Sequence, residues 1–189
     1  HFAHIREGKA IPMVLYCPGC GFGVWHNWGV LKGMSPSDES IVAMSGSALA
    51  VACYLCRLDV HRELDRCDAL RKHIWWAPKQ TVRRWLQDAL PCDCVALCAR
   101  LRILARELPS GRVVVLEWRT KDELIECLIA SASVLCWHKH RGRYYTDCVT
   151  CTVPHDARLC NKRVYYVPSR RTAEQHFMLG MARGRAVRN

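Results

Sequence analysis

The chain has 189 residues, half of them apolar and 24% charged, a composition that suits a globular core and excludes an intrinsically disordered chain. Its formal net charge of +11 is concentrated late: 11 Lys/Arg stand against 3 Asp/Glu in 139–189, a net +8, and the rest of the chain carries +3. The longest uninterrupted apolar stretch, 48–56, falls well short of the roughly 20 residues that cross a bilayer, and His1-Phe2-Ala3-His4 lacks the features of a signal peptide.

In chain order, the apolar run 11–16 ahead of Pro18-Gly19 predicts a buried strand entering a cysteine knuckle, and 22–30 reads as a second extended stretch. Ser35-Pro36-Ser37-Asp38 predicts a helix start, capped by Ser35 and running toward Cys53 with Gly46 as its weak point. Val60, Leu64, Cys67, Leu70 and Ile74 recur at three- and four-residue intervals. They predict a helix whose other side, with Arg62, Glu63, Asp65 and Arg66, faces water and which ends at Pro78. A short helix with Val82, Trp85, Leu86, Ala89 and Leu90 on one face stops at Pro91, and a further helix is predicted over 95–108.

The segment 112–118, with three valines at its centre, is the clearest strand signal. Thr120 and Glu123 form a capping box ahead of the stripe Leu124, Ile125, Leu128, Ile129, Ala132, Leu135 and Cys136. Tyr144-Tyr145 and 164–167 read as short strands, and 172–181 as a last helix. The order strand, capped helix, cysteine knuckle occurs twice. The expected fold is therefore α+β and zinc-stabilised, with similar halves at 1–108 and 109–168 and a basic tail at 169–189.

Thirteen cysteines, an odd number, cannot all pair within one chain, and a chain with ample core residues does not need a disulfide framework. Zn²⁺ is the expected ligand, because a two-residue gap lets both thiolates of a turn reach one tetrahedral ion. Cys17 and Cys20 have that gap, as do Cys53 and Cys56, and the two pairs form the natural four-thiolate site. Cys92, Cys94 and Cys98 form a third group, and the first two, placed in a turn by Pro91, are an alternative pair for Cys53 and Cys56. A second site is expected in the late cluster, from Cys136, His138 or His140, Cys148 and Cys151, with Cys160 or His155 as substitutes. Cys67 and Cys127 lie on apolar helix stripes and read as core.

Catalysis is the weaker expectation. The chain has no phosphate-binding glycine loop, no H-E-x-x-H and no G-x-S-x-G, and Pro91-Cys92-Asp93-Cys94 has the wrong gap for a zinc deaminase. A non-enzymatic binding protein is the expected class.

Cys20-Gly21-Phe22, Trp28, Met34, Asp38-Glu39 and Cys53-x-x-Cys56, followed by Ala89-Leu90-Pro91-Cys92-Asp93-Cys94 and Gly111-Arg112, resemble the adenovirus early region 4 34 kDa proteins over about residues 8–165. Where that pattern has another cysteine knuckle after Cys136, this chain has His138 and His140. The resemblance implies a viral early regulatory adaptor in the nucleus and cytoplasm of the infected cell. Such an adaptor recruits a host elongin-cullin ubiquitin ligase to target proteins together with a second viral early protein. Elongin contact implies a helix with Leu, then Cys or Ala four residues on; Leu90 with Cys94, and Leu49 with Cys53, come near that pattern. The alternative expectation is a zinc-stabilised nucleic-acid-binding regulator using the late basic residues, among them Arg158, Lys162, Arg163, Arg170 and Arg171.

Overall fold

A computed structural model of the chain describes residues 14–36, 40–74, 77–133, 137–148 and 168–188. The fold is mixed α+β. Six strands, β1 (Val14–Cys17), β2 (Ser40–Met44), β3 (Leu101–Leu108), β4 (Val113–Leu116), β5 (His138–His140) and β6 (Arg143–Thr146), form one sheet in the order β1-β2-β3-β6-β5, with β4 also on β3. The β1/β2 and β2/β3 pairs are parallel, while β4, β6 and β5 pair antiparallel. Helices α1 (Val24–Met34), α2 (Gly46–Leu55), α3 (Val60–Leu70), α4 (Pro78–Ala89), α5 (Cys94–Leu97), α6 (Lys121–Ser131) and α7 (Arg170–Arg188) complete the described elements, with a 3-10 turn at Arg71–His73. None of the described helices is long and apolar enough to cross a membrane.

Several expectations are corrected. The stretch expected as extended over 22–30 is largely α1, in which every residue from Val24 to Leu31 is buried. Its Trp and Val content suggests a strand, but tertiary packing decides: Gly29 and Gly33 of α1 meet Gly180 and Gly184 of α7 backbone to backbone. A Cβ on Gly29 would stand 2.1 Å from the carbonyl oxygen of Phe177, and one on Gly184 would stand 2.1 Å from that of Val30. The last helix expected over 172–181 is the 19-residue α7, which takes up most of the segment read as a basic tail and covers α1.

The single helix expected from Pro36 to Cys53 is instead β2 and α2, broken at Ser45, whose φ of 57° starts the turn into Gly46. The helix expected over 95–108 is the one-turn α5 followed by β3. Leu101, Ile103 and Ala105 are buried while Arg102 is exposed, a period of two written in residues whose intrinsic preference is helical. The eight residues of β3 pair with β2 through 101–104, with β4 through 103–106 and with β6 through 106–108, so both halves of the sequence share one sheet.

α3, α4, β4, β6 and α6 lie where expected, although Pro78 occupies the first turn of α4 rather than ending α3. At α6 the Thr120 hydroxyl accepts from the Glu123 N–H at 3.2 Å, while the Glu123 carboxylate accepts from the Arg119 N–H at 2.7 Å, one residue earlier than the standard box. Glu63, expected to face water, is buried; its carboxylate accepts from Trp85 Nε1 at 2.8 Å and from Arg66 at 2.9 Å. The strand expected over 164–167 lies outside the described residues.

Candidate metal centres

α2 decides how the cysteines group. Its first turn holds the Cys17–Cys20 knuckle: Ser47 hydrogen-bonds the Cys20 thiol, Asn27 donates to the Ser47 hydroxyl at 2.8 Å, and a Cβ on Gly46 would stand 3.0 Å from Cys20 Sγ. Cys53 lies six residues further along the helix and Cys56 lies at its end. At about 1.5 Å per residue the two pairs are separated by roughly 9 Å or more along the axis, too far to share one ion. The expected Cys17, Cys20, Cys53, Cys56 site does not form, because a helix runs between its halves.

The fold brings Cys56 to Cys98, whereas Cys92, expected to join Cys53 and Cys56 with Cys94, is exposed. α4 ends at Ala89, Pro91 turns the chain, and α5 begins at Cys94 and is followed by Cys98 one helical turn on, with the Cys98 N–H bonded to the Cys94 carbonyl at 2.9 Å. Cys56 Sγ and Cys98 Sγ are 3.7 Å apart. Cys53, Cys94 and Cys98 are completely buried and Cys56 nearly so. The hydrogen bond from Cys98 draws the Cys56 thiol below its ordinary range, with help from Lys121 against burial and Asp93. Cys98 is pushed up by donating that bond, by burial and by the neighbouring thiols of Cys56, Cys94 and Cys53. Burial likewise raises Cys53 and Cys94. The three raised thiols, Cys53, Cys94 and Cys98, would each be relieved by a cation that accepts them as thiolates.

A tetrahedral zinc with Zn–S bonds of about 2.3 Å holds its sulfurs about 3.8 Å apart. The Cys56–Cys98 separation matches that edge. Among the described residues, however, no three Cys, His, Asp or Glu side chains already stand as a metal-holding group. Cys92, two residues before Cys94, is exposed in the turn and outside this cluster.

At the other end of α2, burial and the proximity of Cys20 push the Cys17 thiol up, and Cys20 is pushed up to about 12 by burial, with Asp147 adding to the rise. Asp147 precedes the buried Cys148, so the knuckle lies beside the chain that leaves β6. The late cluster divides here. Its Cys148 follows Asp147, the residue that acts on Cys20, whereas His138 and His140 contact α6. Cys136, Cys151, His155 and Cys160 lie outside the described residues.

His138 Nε2 bonds Glu126 at 2.8 Å, and Glu126 is also held by a two-point pair with Arg83 at 2.8 and 2.9 Å. His140 Nε2 stands 3.7 Å from Cys127 Sγ. Burial pushes Cys127 up to about 12 and both imidazoles down, so the Cys127–His140 pair is a thiol beside a neutral ring, not a thiolate–imidazolium nucleophile. Cys127 was read as plain core, and nothing in its spacing pointed to His140.

Leu49 and Leu90, expected to carry a partner surface, are buried in the core at 6% and 3% exposure. Leu49 lines an apolar cavity of about 480 Å³ together with Trp25, Leu64, Trp85 and Ile129. Of the expected basic surface, Arg170 is paired with Asp65 at 2.6 Å and Glu174 at 3.3 Å, and Arg171 is exposed. Arg158, Lys162 and Arg163 lie outside the described residues. Compared with known proteins, the chain matches no family model and no curated protein.

Proposed function

We propose that this chain is a zinc-stabilised, non-enzymatic regulatory adaptor whose structural metal is held by Cys53, Cys56, Cys94 and Cys98. The observation that carries the reading is the 3.7 Å contact of Cys56 with Cys98, which joins the end of α2 to the turn after α5 inside the core. Cys53 and Cys94 would supply the remaining two thiolates if their side chains turned toward Cys56 and Cys98. Zinc bound there ties the helical layer to the start of β3, so metal binding and folding are one equilibrium. The adaptor role rests on the resemblance of Cys20-Gly21-Phe22, Cys53-x-x-Cys56 and Ala89-Leu90-Pro91-Cys92-Asp93-Cys94 to the adenovirus early region 4 34 kDa proteins. Its ligase-facing surface is not built on Leu49 or Leu90, since both are buried.

Two measurements test the two parts. Elemental analysis of protein purified without added metal should find zinc bound in a fixed ratio, and a zinc-free folded protein would refute the metal reading. Affinity purification from host cells under zinc-retaining conditions should recover elongins and a cullin; recovery of neither would refute the adaptor reading and leave the metal reading standing.

A further inference from the structure

We propose that the corner of the sheet formed by Trp137, Tyr144 and Lys139 is a binding surface for single-stranded nucleic acid. Trp137 and Tyr144 are the only aromatics among the strongly exposed large apolar side chains of the described residues, at 60% and 40% exposure. They do not stand apart. Their rings meet edge to face with centroids 5.0 Å apart and an interplanar angle of 88°, and the Lys139 ammonium lies 5.8 Å from the centre of the Tyr144 ring. An exposed Trp ring with a cation beside its aromatic neighbour is the combination on which an unpaired base stacks while its phosphate is neutralised.

The platform is held from behind. Lys139 and Tyr144 are register partners in the β5–β6 ladder, Tyr144 pairs with Leu108 of β3, and the Trp137 carbonyl accepts a hydrogen bond from Lys79. His138, between Trp137 and Lys139 in the chain, is anchored on Glu126. The rings are therefore presented by a braced sheet edge, and little order has to be created on binding.

Charge selects the partner. Arg143 and Arg141 are matched by Glu107 and Glu123, and Glu117 lies close to Arg141. Lys79, Lys139 and Arg112, the last beside Glu107, make no ion pair among the described residues. The corner is thus aromatic and positive in a chain of net charge +11, which favours a polyanion with flat, apolar bases over an acidic protein surface. A duplex keeps its bases stacked on one another, so the rings select single strands. Lys139 and Tyr144 stand at the start of the late basic segment 139–189, whereas Arg170, further along it, is already engaged by Asp65 and Glu174.

The test is fluorescence anisotropy of the full chain with labelled oligouridylate, oligothymidylate and a hairpin duplex, over a series of salt concentrations. Single strands should bind more tightly than the duplex. Trp137→Ala and Tyr144→Ala should each weaken binding at least about fivefold, as expected for one lost base stack. Trp137→Phe should keep most of the affinity, and Lys139→Gln should reduce the salt slope by about 0.7, one phosphate contact to a single strand. Changing Arg183, Arg185 and Arg188 of α7 together to Gln should leave stacking-dependent binding in place. Circular dichroism and Tm establish that each variant is folded, which the exposure of the two rings makes the expected result. No single-strand binding at low salt, equal affinity for the duplex, or folded Trp137→Ala protein that binds like the parent would each overturn the proposal.

Discussion

Cys56 and Cys98 face each other at 3.7 Å although 42 residues separate them in the chain, one at the end of α2 and the other just past α5. If this contact is one edge of a zinc tetrahedron, Cys98→Ser should lose the bound ion while Cys92→Ser, at the exposed position, should keep it. Chelation of the parent protein should lower Tm by on the order of 10 °C, following the linkage between ligand binding and stability. Metal content and a thermal melt of the same samples check both expectations.

The glycine contact of α1 with α7 gives a second prediction. Gly29→Ala or Gly184→Ala places a methyl group where the neighbouring carbonyl already lies, so the helices must move apart. The expected cost is about 1–3 kcal/mol, the range for overpacking a close contact. Gln175→Ala, on the exposed side of α7, should change little. Urea unfolding of the three variants measures the difference.

Glu63 is a buried carboxylate with two donors, Trp85 Nε1 and Arg66. Replacement by Leu should destabilise the fold by about 1–3 kcal/mol, because the Trp85 N–H, in a residue 6% exposed, is left without its acceptor. Glu63→Gln keeps an acceptor oxygen and should cost less. Chemical denaturation with Trp fluorescence as the readout distinguishes the two.

A fourth prediction concerns acid. Burial alone would raise the Glu126 carboxyl, but the Arg83 guanidinium and His138 hold it below the ordinary carboxylate range. A depressed folded-state pKa means the stabilisation is complete above the unfolded-state value and is lost as pH falls through the folded one. A double-mutant cycle of Arg83→Met with Glu126→Gln should therefore give a coupling of about 1 kcal/mol at neutral pH. The coupling should persist down to the ordinary carboxylate range and be lost only as pH falls below it, through the depressed folded-state value. A coupling that stays constant across this range would contradict the assignment.

The helices with one apolar stripe were legible in the sequence. In α3, α4 and α6 the period of 3.6 marked the helices and the Thr120 cap marked the start of α6, while Pro78, read as the end of α3, opens α4. α1 and β3 were not legible, for opposite reasons. α1 is buried on almost every side and so carries no stripe, and the glycines that fit it to α7 look like breakers until the second helix is placed. β3 hides a period of two under Leu, Ala, Arg and Glu, whose helical preference is overruled by three neighbouring strands. At the candidate site, spacing identified the pairs of cysteines, but which pairs meet depended on α2 being a helix of ten residues that holds one pair at each end. The Cys127–His140 and His138–Glu126 contacts had no sequence signal, because they join a helix to a strand whose register spacing cannot state.

The packing of α1 against α7 also sets a timetable. α1 carries Trp25 and Trp28, and Trp28 stacks edge-on against Phe177 with ring centroids 5.8 Å apart. During synthesis the ribosome completes α1 well over a hundred residues before it reaches α7. At about 5–20 residues per second that interval is on the order of 10 s. For all of it the nascent chain holds an apolar, glycine-notched helix without its cover, which makes the unfinished polypeptide a client for chaperones until its last described helix emerges.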